Sequence, residues 1–246
     1  MRYYIVDAFA DKLFSGNPAG VCLLDEWIND SMMQSIAFEN NLAETAFLVK
    51  KEGYYDLRWF TPEVEMDLCG HATLAGAFVL ANFVDYSFIN MNFHTQSGVL
   101  SVVKKGDLYI MDFPSRKPTP CAVPRGLEEA LGATVLETHL SRDLLVLLES
   151  ESTVATLQPD LNKLKNIEGA FAVIVTAKGD TCDFVSRFFA PGAGVAEDPV
   201  TGSSHCTLIP FWSERLGKTE MLARQLSKRG GTLYCWDNGE RVEIGG

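Results

Sequence analysis

The sequence predicts an α+β fold built from two similar domains, and three observations carry that expectation. Strand-like segments far outnumber helical ones, without the strand–helix alternation of a doubly wound sheet. The pentapeptide RWFTP (58–62) recurs as RFFAP (187–191). Each copy is followed by a short acidic loop, a glycine and an apolar helix. The first sequel is CGHATLAGAFVL from 69, and the second, after a three-residue insertion, is TGSSHCTLIPFW from 201. A repeat with the same sequel indicates an internal duplication. Between the copies lies FPSRKPTPCAVP (113–124), whose prolines remove backbone donors and favour extended chain. It sets the expected domains at 1–117 and 118–246.

In chain order, YYIVDAF (3–9) and GVCLL (20–24) have the aromatic and β-branched content of strands. Between them, Gly16, Asn17, Pro18 and Gly20 of FSGNPAGV are expected to form a turn, with the Asn17 amide either facing a ligand or bracing the loop. Asp30 is expected to cap a helix with Met33, Ile36 and Ala37 on one face, ending at Asn40-Asn41. TAFLV (45–49) reads as a buried strand. TQSG (95–98) is a polar turn, and GVLSVVKKGDLYIMDF reads as two strands around Lys105-Gly106-Asp107. In the second half GLEEALGA is a short helix, while LLVLL and FAVIVTA are strands. Pro210 is expected to kink or end the second apolar helix within two turns.

Composition narrows the function classes. Apolar residues make up 47% and charged residues 22% of 246, as in ordinary globular chains. The net charge of −11 weighs against nucleic acid, which is bound by neutralising phosphates. No apolar run is long enough for a membrane span, and the start, with Asp7 and Asp11, lacks a signal-peptide core, so the chain reads as cytoplasmic. Six cysteines without a CxxC pair read as reduced thiols. Cys69 and His71 are only two apart, and His205-Cys206 are adjacent, so no zinc ligand set is expected.

The candidate chemistry gathers at the helix starts. The helix after Cys69-Gly70-His71 has no polar face, so it must be buried among strands. Its first-turn amides need an acceptor. Two readings stay open for it: Asp67 caps the helix and His71 is merely packed, or a bound carboxylate takes the amides. In the second copy Gly202, Ser203 and Ser204 open a helix, with Glu197 and Asp198 just before it, either as caps or as site residues. If a pseudo-twofold axis relates the halves, both helix starts line one pocket. Glu44 in NNLAETAF is a loop acid or, if buried, a proton acceptor and donor near neutral pH.

FSGNPAGV, NNLAETAF, RWFTPEVEMDLCGHATLAGA, TQSG and EDPVTGSS, in this order, resemble the PhzF family of phenazine-biosynthesis-like isomerases, within the wider diaminopimelate epimerase and proline racemase fold. The resemblance runs from residue 3 to about 245. It implies two domains, each a strongly curved, barrel-like mixed sheet wrapped around a central helix, with the active site in the cleft between. It also implies a cofactor-free, metal-free reaction in which a glutamate moves a proton within a small cyclic carboxylate. Glu44 matches that glutamate. His71 and Asp198 match the family's other polar catalytic positions, and the glycine-led starts at Gly70 and Gly202 match its carboxylate-binding elements. Cys69, Asn17, Gln96, Ser97, Thr201 and Ser203 complete the expected substrate-binding set. Homodimers are common in the family.

Two departures qualify the resemblance. The epimerases and racemases use one cysteine from each half; here Cys69 has Thr201 opposite it in the alignment, and a threonine hydroxyl is too weak an acid or base to replace a thiol. Family members also usually continue past the terminal Gly-Gly with another strand. The expected function is therefore a cofactor-independent isomerase of a small carboxylated metabolite. The alternatives are an amino-acid-type epimerase using Cys69, or a carboxylate-binding protein without catalysis.

Overall fold

The repeated sequence motif corresponds to a repeated order of elements. The computed structural model describes residues 1–246 and divides into two compact units, Met1–Asp112 with Gly245–Gly246, and Phe113–Ile244. It is a sheet-dominated α+β structure, with seventeen strands against six α-helices.

The first unit begins with β1 (Arg2–Ala8) and β2 (Asn17–Leu24), an antiparallel pair. After α1 (Asp30–Asn40), strand β3 (Glu44–Lys50) runs parallel to β2, and β4 (Tyr55–Phe60) returns antiparallel to it. The short β5 (Glu65–Met66) folds back on β4 and leads into α2 (Gly70–Phe83). Strand β6 (Asn90–Thr95) joins β4 in parallel, and β7 (Gly98–Lys105) and β8 (Leu108–Pro114) complete a meander.

The second unit opens with β9 (Thr119–Cys121) and α3 (Leu127–Leu131), followed by the antiparallel pair β10 (Glu137–Leu140) and β11 (Leu144–Leu147). Two short helices, α4 (Glu151–Thr156) and α5 (Leu161–Leu164), precede β12 (Val173–Lys178), which is parallel to β11. Strand β13 (Phe184–Ala190) pairs antiparallel with β12, and β14 (Val195–Asp198) folds back on it before α6 (Gly202–Leu216). Strand β15 (Glu220–Gln225) then joins β13 in parallel, with β16 (Gly231–Asp237) antiparallel to it and β17 (Arg241–Gly245) last. From β1 to β7 and from β10 to β16 the two units repeat the same pairings.

Helix α2 is buried nearly all round and packs on β1, β2 and β3, as its lack of a polar face demands. Leu48 of β3, 1% exposed, faces Gly76 of α2, while Phe47 on the same strand packs with Met33 and Ala37 of α1. Burying each such side chain stabilises the fold by roughly 1.5 to 3 kcal/mol. In the second unit Leu127, Leu131, Val146, Val175, Val185 and Phe189 belong to an apolar cluster between the short helices α3 to α5 and the sheet.

Four local expectations are corrected. The N-cap of α1 is Asn29, whose Oδ1 accepts from Met32 N at 2.8 Å, and Asp30 stands in the first turn. Only Gly16, at φ 76°, sits in the turn before β2; Asn17, Pro18 and Gly20 are already strand, paired with Ala8, Asp7 and Ile5. Asp67 does not cap α2, whose N-cap is Cys69 with no side-chain cap.

Of the two outcomes expected at Pro210, the helix ending there is ruled out, because α6 runs on to Leu216. A helical proline leaves the carbonyl four residues earlier without its donor. Here that carbonyl, of Cys206, accepts from the backbone N–H of Arg116 at 2.8 Å. The proline-rich segment thus replaces the donor that the helix lacks.

Candidate active site

In the first unit, the duplicated helix start and the beginning of β3 bring three sequence-expected residues together. Glu44 is the first residue of β3, paired with Ala19 of β2, so it stands where the sheet emerges from the core. Its side chain is 18% exposed, and burial pushes its carboxyl up to about 7. His71, in the first turn of α2, is 6% exposed and directs Nε2 to 3.3 Å from Glu44 Oε2. Its other nitrogen, Nδ1, is 3.5 Å from the thiol of Cys69, which is also buried. The thiol, the imidazole and the carboxylate thus form one compact cluster at the start of α2.

Donor atoms of Glu44, Cys69 and His71 all lie within 4.8 Å of one another. The ligands of a tetrahedral zinc are closer, roughly 3.5 Å apart. Moreover, the thiol and the carboxylate address different ring nitrogens, and one imidazole gives only one nitrogen to an ion. The arrangement suits proton sharing better than shared ligation.

Of the other first-unit candidates, two hold the loop ahead of α2. Asn17 is fully buried at the start of β2. Gln96 donates from Nε2 to Glu65 Oε1 at 2.8 Å, and Ser97 Oγ donates to the Asp67 carbonyl at 2.8 Å. Both contacts fasten the loop that enters α2 at Gly70. Glu65 is in turn held bidentately by Arg58, at 2.6 and 2.7 Å.

In the second unit, Asp198 accepts from the Thr201 hydroxyl. Gln225, 1% exposed, accepts from Thr201 N through Oε1 at 2.9 Å and donates from Nε2 to the Asp198 carbonyl at 2.7 Å. This glutamine clamps the loop ahead of Gly202. Ser203, next in α6, accepts from Arg142 Nη2 at 3.4 Å. Glu197 is neither a cap nor part of the Asp198 cluster: Arg187 holds it at 2.7 and 3.1 Å while also donating to the carbonyls of Val154 and Leu157. The pairs Arg58–Glu65 and Arg187–Glu197 are the same device in the two units. The arginine of each RxFxP motif and the glutamate of the following loop carried the signal, visible once the copies are aligned. Gln225 had no such signal, since a single glutamine in a strand looks like any other.

The family pattern of phenazine biosynthesis-like proteins, PhzC–PhzF, matches residues 6–246. The chain belongs to this family. It is 54% identical to an uncharacterized isomerase of Pseudomonas aeruginosa over all of its own length and 95% of that protein's. It is 40% identical to a human phenazine biosynthesis-like domain-containing protein, over 94% of its length and 89% of the relative's. Among solved structures, a PhzF family protein of Enterococcus faecalis superposes with a TM-score of 0.98 at 51% identity, covering 99% of this chain and 94% of that one. A predicted epimerase of Pseudomonas aeruginosa shares the fold, with a TM-score of 0.76 at 20% identity, covering 100% of this chain and 95% of that one. The PhzC–PhzF chain described here is an enzyme of the isomerase class. It has no helix long and apolar enough to cross a membrane.

Proposed function

We propose that this enzyme isomerises a small carboxylated, cyclic or unsaturated metabolite by moving a proton with a single carboxylate, without a cofactor. The observation that carries the reading is Glu44: a largely buried carboxyl, half-protonated near neutral pH, beside an imidazole. A group with that proton affinity takes a proton from a carbon acid and returns it without a large penalty in either direction. A single base of this kind returns the proton on the face from which it was taken.

In this reading Glu44 shuttles the proton, while Asp198 and His71 position and polarise the substrate. Asn17, Cys69, Gly70, Gln96, Ser97, Thr201, Gly202 and Ser203 bind the substrate, with amides at the two helix starts taking its carboxylate. Two like, barrel-like domains and a homodimer belong to the same proposal. Two-thiol racemisation is disfavoured, since position 201 offers a hydroxyl already donating to Asp198.

The test is deuterium incorporation from heavy water into a panel of small unsaturated and cyclic carboxylates, read by mass spectrometry. Exchange in one of them by the unaltered enzyme, slowed at least about 10²-fold in Glu44→Gln, is the expected result. Full activity in Glu44→Gln overturns the proposal.

A further inference from the structure

Three arginines of the chain are held in the same manner, and one of them is left incomplete. Arg58 turns its Nε–Nη2 edge to Glu65, at 2.6 and 2.7 Å, and its Nη1 to Asp30 at 2.8 Å. Arg187 turns the same edge to Glu197, and its Nη1 to the carbonyls of Val154 and Leu157 at 3.2 and 2.7 Å. Arg142 presents that edge to Asp143, at 3.1 Å from Nε and 2.9 Å from Nη2. The second Nη2 hydrogen goes to Ser203 Oγ at 3.4 Å, and Nη1 has no acceptor within the protein. A guanidinium carries five donors and keeps its charge at any working pH, so the open end of this fork suits an anion.

That open end is fixed in place. Asp143, whose side chain is 1% exposed, anchors the guanidinium from beneath. Arg142 lies in the turn between β10 and β11, and Ser141 of the same turn meets Thr207 of α6, hydroxyl to hydroxyl, at 3.0 Å. Ser203 and Thr207 are four residues apart, so both ties fall on one face of α6 and hold the turn at the helix entrance. The guanidinium also lies over the Phe171 ring, 5.7 Å from its centroid, and that ring is 59% exposed. A fixed charge with free donors and a bare aromatic face thus adjoin Ser203.

We propose that Arg142 is a specificity-determining residue that takes the substrate's carboxylate on Nη1 beside Ser203, while the Phe171 ring favours a planar acid, aromatic or conjugated. This rests on the reading of the substrate as a small carboxylate, which it deepens by naming the charge that selects it. Its tests read binding without turnover. They can therefore fail while Glu44-dependent exchange succeeds, and the reverse.

The first test measures the dissociation constants of benzoate and of benzamide by NMR titration. The two probes share a planar shape and differ in charge. The unaltered enzyme is expected to bind benzoate at least about tenfold more tightly than benzamide. Arg142→Gln should abolish that preference, and Arg142→Lys should restore part of it, because lysine keeps the charge without the fork. Since Arg142→Gln leaves Asp143 buried and unpaired, the double variant Arg142→Gln/Asp143→Asn is measured beside it. Equal binding of the two probes by the unaltered enzyme, binding of neither, or a preference unchanged within about twofold in any folded variant lacking Arg142 overturns the proposal.

The second test needs no variant. Phenylglyoxal modification of guanidinium groups is followed at each arginine of the unaltered enzyme by peptide mass spectrometry. Benzoate at about ten times its dissociation constant leaves about a tenth of its sites free, so modification of Arg142 should slow about tenfold. Arg125, exposed and outside this group, should react at an unchanged rate. No protection of Arg142, or equal protection of Arg125, rejects the assignment.

Discussion

Replacing Glu44 by Gln should stabilise the protein at alkaline pH while removing its activity. Burial raises the Glu44 carboxyl from an ordinary 4.5 to about 7. Between those values the folded state holds a proton that the unfolded state has lost. Stability is therefore highest below about 4.5, falls as pH rises, and has lost its full increment once pH passes about 7. The proton affinities imply roughly 3 kcal/mol, because each tenfold change in affinity is worth about 1.4 kcal/mol. Glutamine has nearly the same shape and no charge to desolvate, so the variant lacks this pH-dependent loss.

The assay is the difference in apparent melting temperature between the variant and the unaltered protein, measured from about pH 4 to pH 9. For a chain of this size 1 kcal/mol corresponds to about 2 to 4 °C. The difference should thus change by about 6 to 12 °C in favour of Gln as pH rises, then level off. The slope is the secure quantity, since the cost of burying the amide is the same at every pH. A difference that is flat across the range would show that Glu44 is not held in a desolvated site, and the basis for its catalytic role would fall with it.

The same carboxylate should govern the rate. In the exchange assay kcat/KM is expected to rise with pH through about 7 if Glu44 acts as base, and a profile with no inflection there would contradict the role. Dialysis against a chelator should leave that rate unchanged, and a loss restored by a divalent metal would refute the cofactor-free proposal. Arg187→Met is expected to cost about 3 to 5 kcal/mol in chemical denaturation, because Glu197 and the Val154 and Leu157 carbonyls lose their shared partner. Arg58→Met, at a more exposed pair, should cost clearly less, and equal costs would contradict the burial argument. Gly16→Ala should cost about 2 kcal/mol or more, since φ is 76° and a methyl would meet the Ala8 carbonyl oxygen at 2.3 Å; an unchanged melting curve would refute this.

The parts legible in the sequence were those written as pattern. An all-round apolar helix can only be interior, which made α2 readable. The RxFxP repeat marked the two strands that lead to helix starts. Glu44, Cys69 and His71 were visible as residue types next to structural landmarks, but their mutual distances were not. Those distances depend on the parallel pairing of β2 with β3, a contact between segments a whole helix apart. The cap of α1 was read one residue late, at Asp30 instead of Asn29, because Asn and Asp are interchangeable signals at a helix entrance. Gln225 was invisible for a different reason: its importance lies wholly in the backbone atoms it meets.

The Arg116–Cys206 hydrogen bond also bears on how the chain can be cut. A recombinant second half that starts at Phe113 keeps the amide that services the proline-containing helix. One that starts at Pro118 discards it and leaves an interior carbonyl dry, at a cost of about 1 to 3 kcal/mol. Five residues that look like expendable tether are, for that fragment, the difference between a sealed helix and a leaking one.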